Sequence, residues 1–572
     1  MRVKKTHLYL MLIVVLAIIL RVIIAHNTDV GTDEMVYSLL PLGIIGSGQL
    51  NTIEGSPMFF YITDIGYKLF GKITAISARF ASILFGAFAS VVIFLIAVEL
   101  FEDKKAALIS AFLFAASSFV LSLNFEMDMT AYFFALLSIL CFMKSFKKDR
   151  YLYLSSLFLM IGALTKPIVL VLVIPFASVF VLDYVKQPQH YTEGKTLKID
   201  KHLITVLVIS IAIALAAASP VLIYNYFTYS HLGATDYYFA SILGIGEYPL
   251  KGVSQQVWSF QKLIAISTSM FLYFLKYDTP LIFFGLLGGV LFFKRKLLNS
   301  LMLWAAALLI LFYVAGKVGG GQHHILLPAV LSIFGGYGLL KFGQWVKDKF
   351  SFGYVVPIIL VITLVFSIVT IQKAIGLRDS ATTLVLRDFV VDKIEEEAII
   401  VTDPRIFTGV HAWVFNDRSH ISGIEFSRAM TSLKDVPKEQ RILAPVYYLE
   451  CNPVTYCGWK PEDFNRISAV GEEITRQFKE ITTKVADINA GHQFAVHSTF
   501  IEVPMQIYEI IDQSKTFWGY PIGWNHPERA IDHYEVDGFD KLVNSLGLSV
   551  LYINLLIALL SIPFVVYLVI KN

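Results

Sequence analysis

The sequence predicts a multi-span α-helical membrane protein of about 12 transmembrane helices, with a small extracytoplasmic α/β domain towards the C-terminus. Three observations predict it. Hydrophobic residues make up 56% of the 572 and charged residues 16%, against about 25% charged in soluble domains, and the mean hydropathy is +0.65. Apolar runs able to cross a bilayer core about 30 Å thick recur through residues 1–371 and return in 547–572. Residues 372–546 between them are polar and charge-mixed. A soluble enzyme is excluded, and a net charge of +3 with no basic aromatic-rich patch argues against a nucleic-acid partner.

The expected spans are 8–25, 79–101, 106–122, 130–146, 151–165, 168–185, 203–223, 279–293, 299–315, 325–340, 354–371 and 547–570. The first follows Arg2, Lys4 and Lys5. Arg21 and His26 at its end do not resemble the small-residue site of a cleaved signal peptide, so it reads as an uncleaved span. Charge alternation orients the chain. With the N-terminus cytoplasmic, the inner loops carry Lys104 and Lys105, Lys147 to Arg150, Lys186 to Lys201, Lys294 to Lys296 and Lys341 to Lys349. The opposite loops carry Asp29, Asp33, Glu34, Glu54, Glu126 and Asp128, with no Lys or Arg between Arg21 and Lys68.

Two outer segments are too long for turns. Within 26–78, Tyr37 to Ile45 and Met58 to Phe70 fit helices lying along the membrane surface. Residues 224–278 are rich in Tyr, Phe and Trp, as interfacial segments are. In 372–546, "EEEAIIVTDPRIF" reads as a buried strand ending in a loop, and "EDFNRISAVGEEITRQFKEITTKV" as a helix followed by a strand. Of the three cysteines, Cys141 lies in an apolar run, whereas Cys451 and Cys457 sit close together in the exported region and are expected to form a disulfide.

Ionisable groups near membrane depth point to function by default. The topology puts four such groups on one face. Asp33 and Glu34 follow the first span; they fit a helix cap with an acidic first turn, and equally a general base on a hydroxyl. Glu126 and Asp128 occupy what could be a simple polar turn. Lys166, before Pro167, could snorkel to the interface. Lys317, Gln322, His323 and His324 stand in "KVGGGQHHILLP", where glycine-rich backbone at a helix start suits an anion as well as a plain loop.

"DVGTDEMVYSLL", "IEGSPMFFYITDIGYKLFG", "ISARFASILFGAFASVVIFLIAVELFEDKKAALISAFLFAASSFVLSLNFEMDMTAYFF" and "LMIGALTKPIVLVLVIP" follow in order and spacing. Together they resemble the dolichyl-phosphate-mannose protein mannosyltransferase and aminoarabinose transferase group of GT-C glycosyltransferases, over residues 1–190 and more loosely over 320–336. The resemblance implies a GT-C-like transmembrane catalytic region at 1–371 that takes a sugar from a polyprenyl-phosphate donor, dolichyl or undecaprenyl, at the outer face. It places the catalytic Asp on Asp33, with Glu34 beside it, and the second acidic site on Asp128. The family's polar-Pro element falls on Ser56 and Pro57, and Glu54 resembles an acidic residue that helps bind a divalent metal in the aminoarabinose branch. That branch has Lys-Pro-Pro where this chain has Gly-Ser-Pro, so a phosphate-binding lysine is absent at this point. No WWDYG-like motif is present, which argues against an oligosaccharyltransferase.

The expected chemistry is an inverting displacement. Arg79, Lys166, Lys317, His323 and His324 would neutralise the leaving lipid phosphate, Asp33 would take the acceptor's proton, and the acceptor would be a protein, lipid or glycan. Two rivals stand beside this reading. A transporter or flippase would show repeats and midplane charges. A non-catalytic protein of the same fold would use its outer domain to assemble envelope partners.

Overall fold

The computed structural model describes residues 5–29, 34, 45, 50, 56–70, 74–123, 125–186, 201–233, 235–236, 239, 244–245, 258–293, 296–317, 321–378, 381–406, 414–415, 418–452, 457, 461–489, 491–505, 507 and 537–571. The membrane region holds α1 (Lys5–Asn27), α2 (Pro57–Phe70), α3 (Phe80–Phe101), α4 (Lys104–Ala115), the single turn α5 (Ser118–Leu121), α6 (Met127–Ser145) and α7 (Arg150–Thr165). A 3-10 segment (Pro167–Leu172) then leads into α8 (Val173–Lys186), followed by α9 (Lys201–Leu232), α10 (Phe260–Tyr277), α11 (Thr279–Phe292), α12 (Leu297–Lys317), α13 (Leu326–Phe350) and α14 (Val355–Gly376). After the sheet domain, α18 (Gly538–Lys571) returns to the bundle.

Every expected span falls in helix. Among the described residues nine helices are long and apolar enough to cross a bilayer, and the bent pair α10–α11 makes a tenth. Arg150–Thr165 and Pro167–Asp183 are shorter apolar helices. Two expectations change in detail. The run 106–122 breaks after Ala115, because Ser117 caps the new turn α5 by accepting from the Val120 amide. The aromatic segment 224–278 is largely helical where it is described: α9 runs on to Leu232, and α10 lies at 109° to α11.

The helices α3 and α6 are apolar on all sides and almost wholly buried, as expected of core helices. At the edge of the bundle, α14 keeps most of its apolar surface exposed. Close crossings depend on glycine. A Cβ on Gly288 of α11 would stand 1.9 Å from the Phe334 carbonyl oxygen of α13, and one on Gly336 2.1 Å from Ser110 Oγ of α4. The expected surface helix α2 is present but sunk into the bundle, since Met58, Phe59, Phe60, Tyr61 and Ile62 are consecutive apolar residues and all are buried. The other expected surface helix, Tyr37 to Ile45, lies outside the described residues apart from Ile45.

The polar region contains α15 (Thr382–Lys393), β1 (Ile399–Thr402), β2 (Ser419–Ser422), α16 (Gly423–Thr431), β3 (Arg441–Cys451), α17 (Pro461–Ile481), β4 (Thr483–Asn489) and β5 (Gln493–Pro504). The strands form one sheet in the order β2-β1-β3-β5-β4, with β1 parallel to both β2 and β3, and β5 antiparallel to β3 and β4. Strand β1 is buried throughout because both its faces are covered. Ile400 joins Leu384 and Val390 of α15 in one core, and Ile399 and Val401 join Ile474 and Phe478 of α17 in the other. Cys451 and Cys457 are bonded as a disulfide, and Cys141 is a free, buried thiol.

This domain sits on the end of the bundle where α1 finishes and α3 begins. Arg378 Nη1 donates to the His26 carbonyl at 3.1 Å, and Ala75 packs against the α15 core. At the opposite end of α3, Glu99 pairs with Lys144 at 2.9 Å and with Lys147, and Lys296 pairs with Glu102 at 2.8 Å. Lys144, Lys147 and Lys296 thus stand at the end of the bundle away from the sheet domain, each paired with a glutamate.

Candidate functional site

The start of α3 organises the domain-side end of the bundle. Arg79 precedes α3, with a side chain that is 2% exposed. A guanidinium has five N–H donors, and all five are taken. Nε and Nη2 grip the two oxygens of Glu34, the latter at 2.9 Å. Nη1 donates to the carbonyls of Ala25 and Thr28, the latter at 3.0 Å, and Nη2 to that of Asp29 at 3.0 Å. Arg79 was expected on the positive side of a phosphate site. It instead fixes Glu34 to the end of α1, and no N–H remains for a phosphate.

One turn further on, Ser82 Oγ lies 3.0 Å and 2.7 Å from the carbonyl oxygens of Phe125 and Glu126. The Arg79 guanidinium also stacks over the Phe125 ring, 5.1 Å from its centre. The first turn of α3 therefore ties both acidic loops together: Glu34 through Arg79, and the turn before Asp128 through Ser82. A serine in the first turn of a mostly apolar helix was the signal for this in the sequence, and it was missed.

Asp128 lies in the first turn of α6 and is fully buried. Its Oδ2 is 2.6 Å from Lys166 Nζ, and its Oδ1 is 2.9 Å from His323 Nδ1. Lys166 Nζ and His323 Nδ1 are themselves 2.9 Å apart. Each residue is set by local structure. Lys166 ends α7, where Pro167 stops the helix and turns its backbone to extended. His323 belongs to the 3-10 turn Gly321–His324, held by the Tyr132 hydroxyl, which donates to its carbonyl. Three residues far apart in the sequence thus form one acid–base cluster. Lys166 remains 15% exposed in its side chain, against 1% for Asp128, so of the two it is the more accessible residue.

His324 differs from its neighbour. It is 1% exposed, and neither ring nitrogen has a hydrogen-bond partner among the described residues. Burial, with His323 beside it, pulls its imidazolium down to about 4 against a smaller opposing effect of Asp128. At neutral pH it is an uncharged ring, not the cation expected there. Asp33 and Glu54 lie outside the described residues, as do the side chains of Lys317 and Gln322.

A divalent metal needs several free donors. Among the described residues no three His, Cys, Asp or Glu side chains gather in a way that could hold one. The carboxylates of Glu34 and Asp128 are already engaged by cations. The described residues therefore do not fit a metal.

The bundle and its sheet domain form a GT-C fold, shared with ArnT. Residues 54–224 match the sequence profile of the dolichyl-phosphate-mannose-protein mannosyltransferase family. ArnT from Cupriavidus metallidurans bound to undecaprenyl phosphate superposes with a TM-score of 0.58 at 13% identity, over 85% of this chain and 97% of that one. The same protein in its apo state gives 0.57, also at 13% identity, over 86% and 98%. The archaeal oligosaccharyltransferase AglB from Archaeoglobus fulgidus, in complex with an inhibitory peptide and a dolichol-phosphate, gives 0.46 at 14% identity over 90% and 77%. The matching family and these structural neighbours are glycosyltransferases. No curated protein is close enough in sequence to count as a match.

Proposed function

We propose that this chain is a membrane glycosyltransferase. It transfers a sugar, a mannose-like hexose or a pentose, from a polyprenyl-phosphate donor to a hydroxyl- or amine-bearing acceptor (protein, lipid or glycan) on the outer face. The observation that carries this reading is the Asp128–Lys166–His323 cluster at the domain-side end of a GT-C bundle. A similar fold, ArnT, is known bound to undecaprenyl phosphate. The outer placement rests on the basic Lys144, Lys147 and Lys296 at the opposite end. A transporter reading is disfavoured because these ionisable groups gather at the ends of the bundle, whereas transporter sites lie near the bilayer midplane.

In the proposed reaction the acceptor oxygen attacks the anomeric carbon in one displacement, with inversion. The bond from that carbon to the phosphate oxygen breaks, and its electron pair leaves on the lipid phosphate. Lys166, the more exposed partner of Asp128, neutralises the leaving phosphate, and His323 supports it. Asp128 keeps Lys166 and His323 in place. Asp33 accepts the acceptor's proton, next to a Glu34 that Arg79 anchors. No step runs through a metal.

Asp33→Asn tests this. Asn caps a helix about as well as Asp, so the protein should fold and bind undecaprenyl phosphate normally. Loss of a general base lowers turnover by about 10²–10⁴-fold. Wild-type turnover in Asp33→Asn, measured with purified polyprenyl-phosphate sugar, would end the assignment of Asp33 as base.

A further inference from the structure

The break in the third expected span meets the elbow between α10 and α11. Asp278, the residue at that elbow, is fully buried. Its Oδ2 accepts from Ser117 Oγ at 2.7 Å and from the Phe119 amide at 2.7 Å, and its Oδ1 accepts from the Ser118 amide at 3.1 Å. These amides open α5, where no preceding turn offers them carbonyl partners. The same break is held from a third side. Ser118 Oγ donates to the Phe366 carbonyl of α14 at 2.9 Å and lies 2.6 Å from Thr370 Oγ1, and Ser367 Oγ donates to the Ala116 carbonyl. Phe119 packs on Phe274 and Tyr273 of α10, at 4.7 Å and 5.5 Å between ring centres.

The break leads straight into the site. Only residues 122–126 separate α5 from α6, and Asp128 is the second residue of α6. On its other side, α14 runs directly into the sheet domain. We infer that Asp278 is a positioning residue: by binding the open start of α5 it sets where Phe125 and Glu126 present Asp128 to Lys166 and His323. Ser82 fixes the far end of that segment and Asp278 the near end. A structure-only role would need no buried carboxylate here, since an uninterrupted α4 would satisfy the same amides. The break lets the chain leave α4 and re-enter at the head of α6.

The inference rests on the proposed transfer reaction for its effect on rate, but not for its structural content, so the test has two readings. The full chain is reconstituted in lipid nanodiscs as wild type, Asp278→Asn and the milder Ser117→Ala. Amide hydrogen exchange is followed over residues 117–128, affinity for undecaprenyl phosphate is measured, and turnover is assayed. Asp278→Asn keeps the side chain's size but turns one acceptor into a donor facing N–H groups. Exchange should quicken at Ser118 and Phe119 and carry through to Met127 and Asp128, with Ser117→Ala changing in the same direction by less. Turnover should fall about 10–100-fold, as for a misplacement near 1 Å, while lipid-phosphate affinity changes less than about twofold; a merely structural defect would lower both together. Unchanged exchange at Phe125 to Asp128 in both variants overturns the inference, as does quickened exchange with wild-type turnover. Should the wild type transfer no sugar at all, the proposed function fails, and the exchange at Phe125 to Asp128 still decides whether Asp278 holds the segment.

Discussion

Lys166→Met keeps the apolar stem of the side chain and removes an ammonium that lies 2.6 Å from Asp128 Oδ2 and 2.9 Å from His323 Nδ1. Asp128 has a side-chain exposure of 1%, so its carboxylate would lose most of its compensation. Removing one partner of a buried pair costs about 3–5 kcal/mol. His323 stays 2.9 Å from Asp128 Oδ1 as a hydrogen-bond partner, which puts the expected loss near the lower end, about 3 kcal/mol. Binding adds a separate effect. A charge-assisted hydrogen bond contributes about 1.5–3 kcal/mol, so affinity for undecaprenyl phosphate should fall roughly 10–140-fold. The double variant Lys166→Met with Asp128→Leu separates the two effects, because exchanging a whole buried pair for apolar groups is often neutral. Thermal midpoint should therefore recover in the double variant, and lipid-phosphate affinity should not. A single variant with wild-type stability would refute the buried pair, and one with wild-type affinity would mean that Lys166 only snorkels to the interface.

Groups outside the spans give two more predictions. His324 has its imidazolium held down to about 4 by burial, against about 6.5 in an unfolded chain. The unfolded state therefore binds the extra proton first, so this contribution to stability is complete above about pH 6.5 and fades as pH falls towards 4. His324→Phe should flatten the acid side of a plot of thermal midpoint against pH, and an unchanged slope would show that the ring is not dry. For the sheet domain, thiol counting under denaturing, non-reducing conditions should find only Cys141, with Cys451 and Cys457 blocked. Reducing that short loop should destabilise the domain by about 2 kcal/mol on chain-entropy grounds, and three free thiols before reduction would refute the bond.

The sequence by itself determined the membrane helices, because each must bury about 20 apolar residues in hydrocarbon and that requirement is written locally. Strand β1 and the α17–β4 pair in the polar region were legible for a similar reason: "AIIVT" is apolar on both faces, and α17 shows helical periodicity. So were the residue types of the site, since Asp128, Lys166 and His323 stand out against apolar runs. Their partnership was not legible. The sequence separations of 38, 157 and 195 residues are closed only when α6, α7 and the turn before α13 pack side by side. The sequence likewise offered Arg79 as a free cation, and tertiary structure decided otherwise: the ends of α1 and α3 meet, so three carbonyls and Glu34 take its donors. His324 read as a second cation beside His323, yet His323 meets Asp128 while His324 is buried with no hydrogen-bond partner among the described residues. The break at Ala116 was invisible for the same reason, because the acceptor that stabilises it, Asp278, comes from another part of the chain. Apolar burial is a property of short segments, whereas the pairing of buried charges depends on which segments become neighbours.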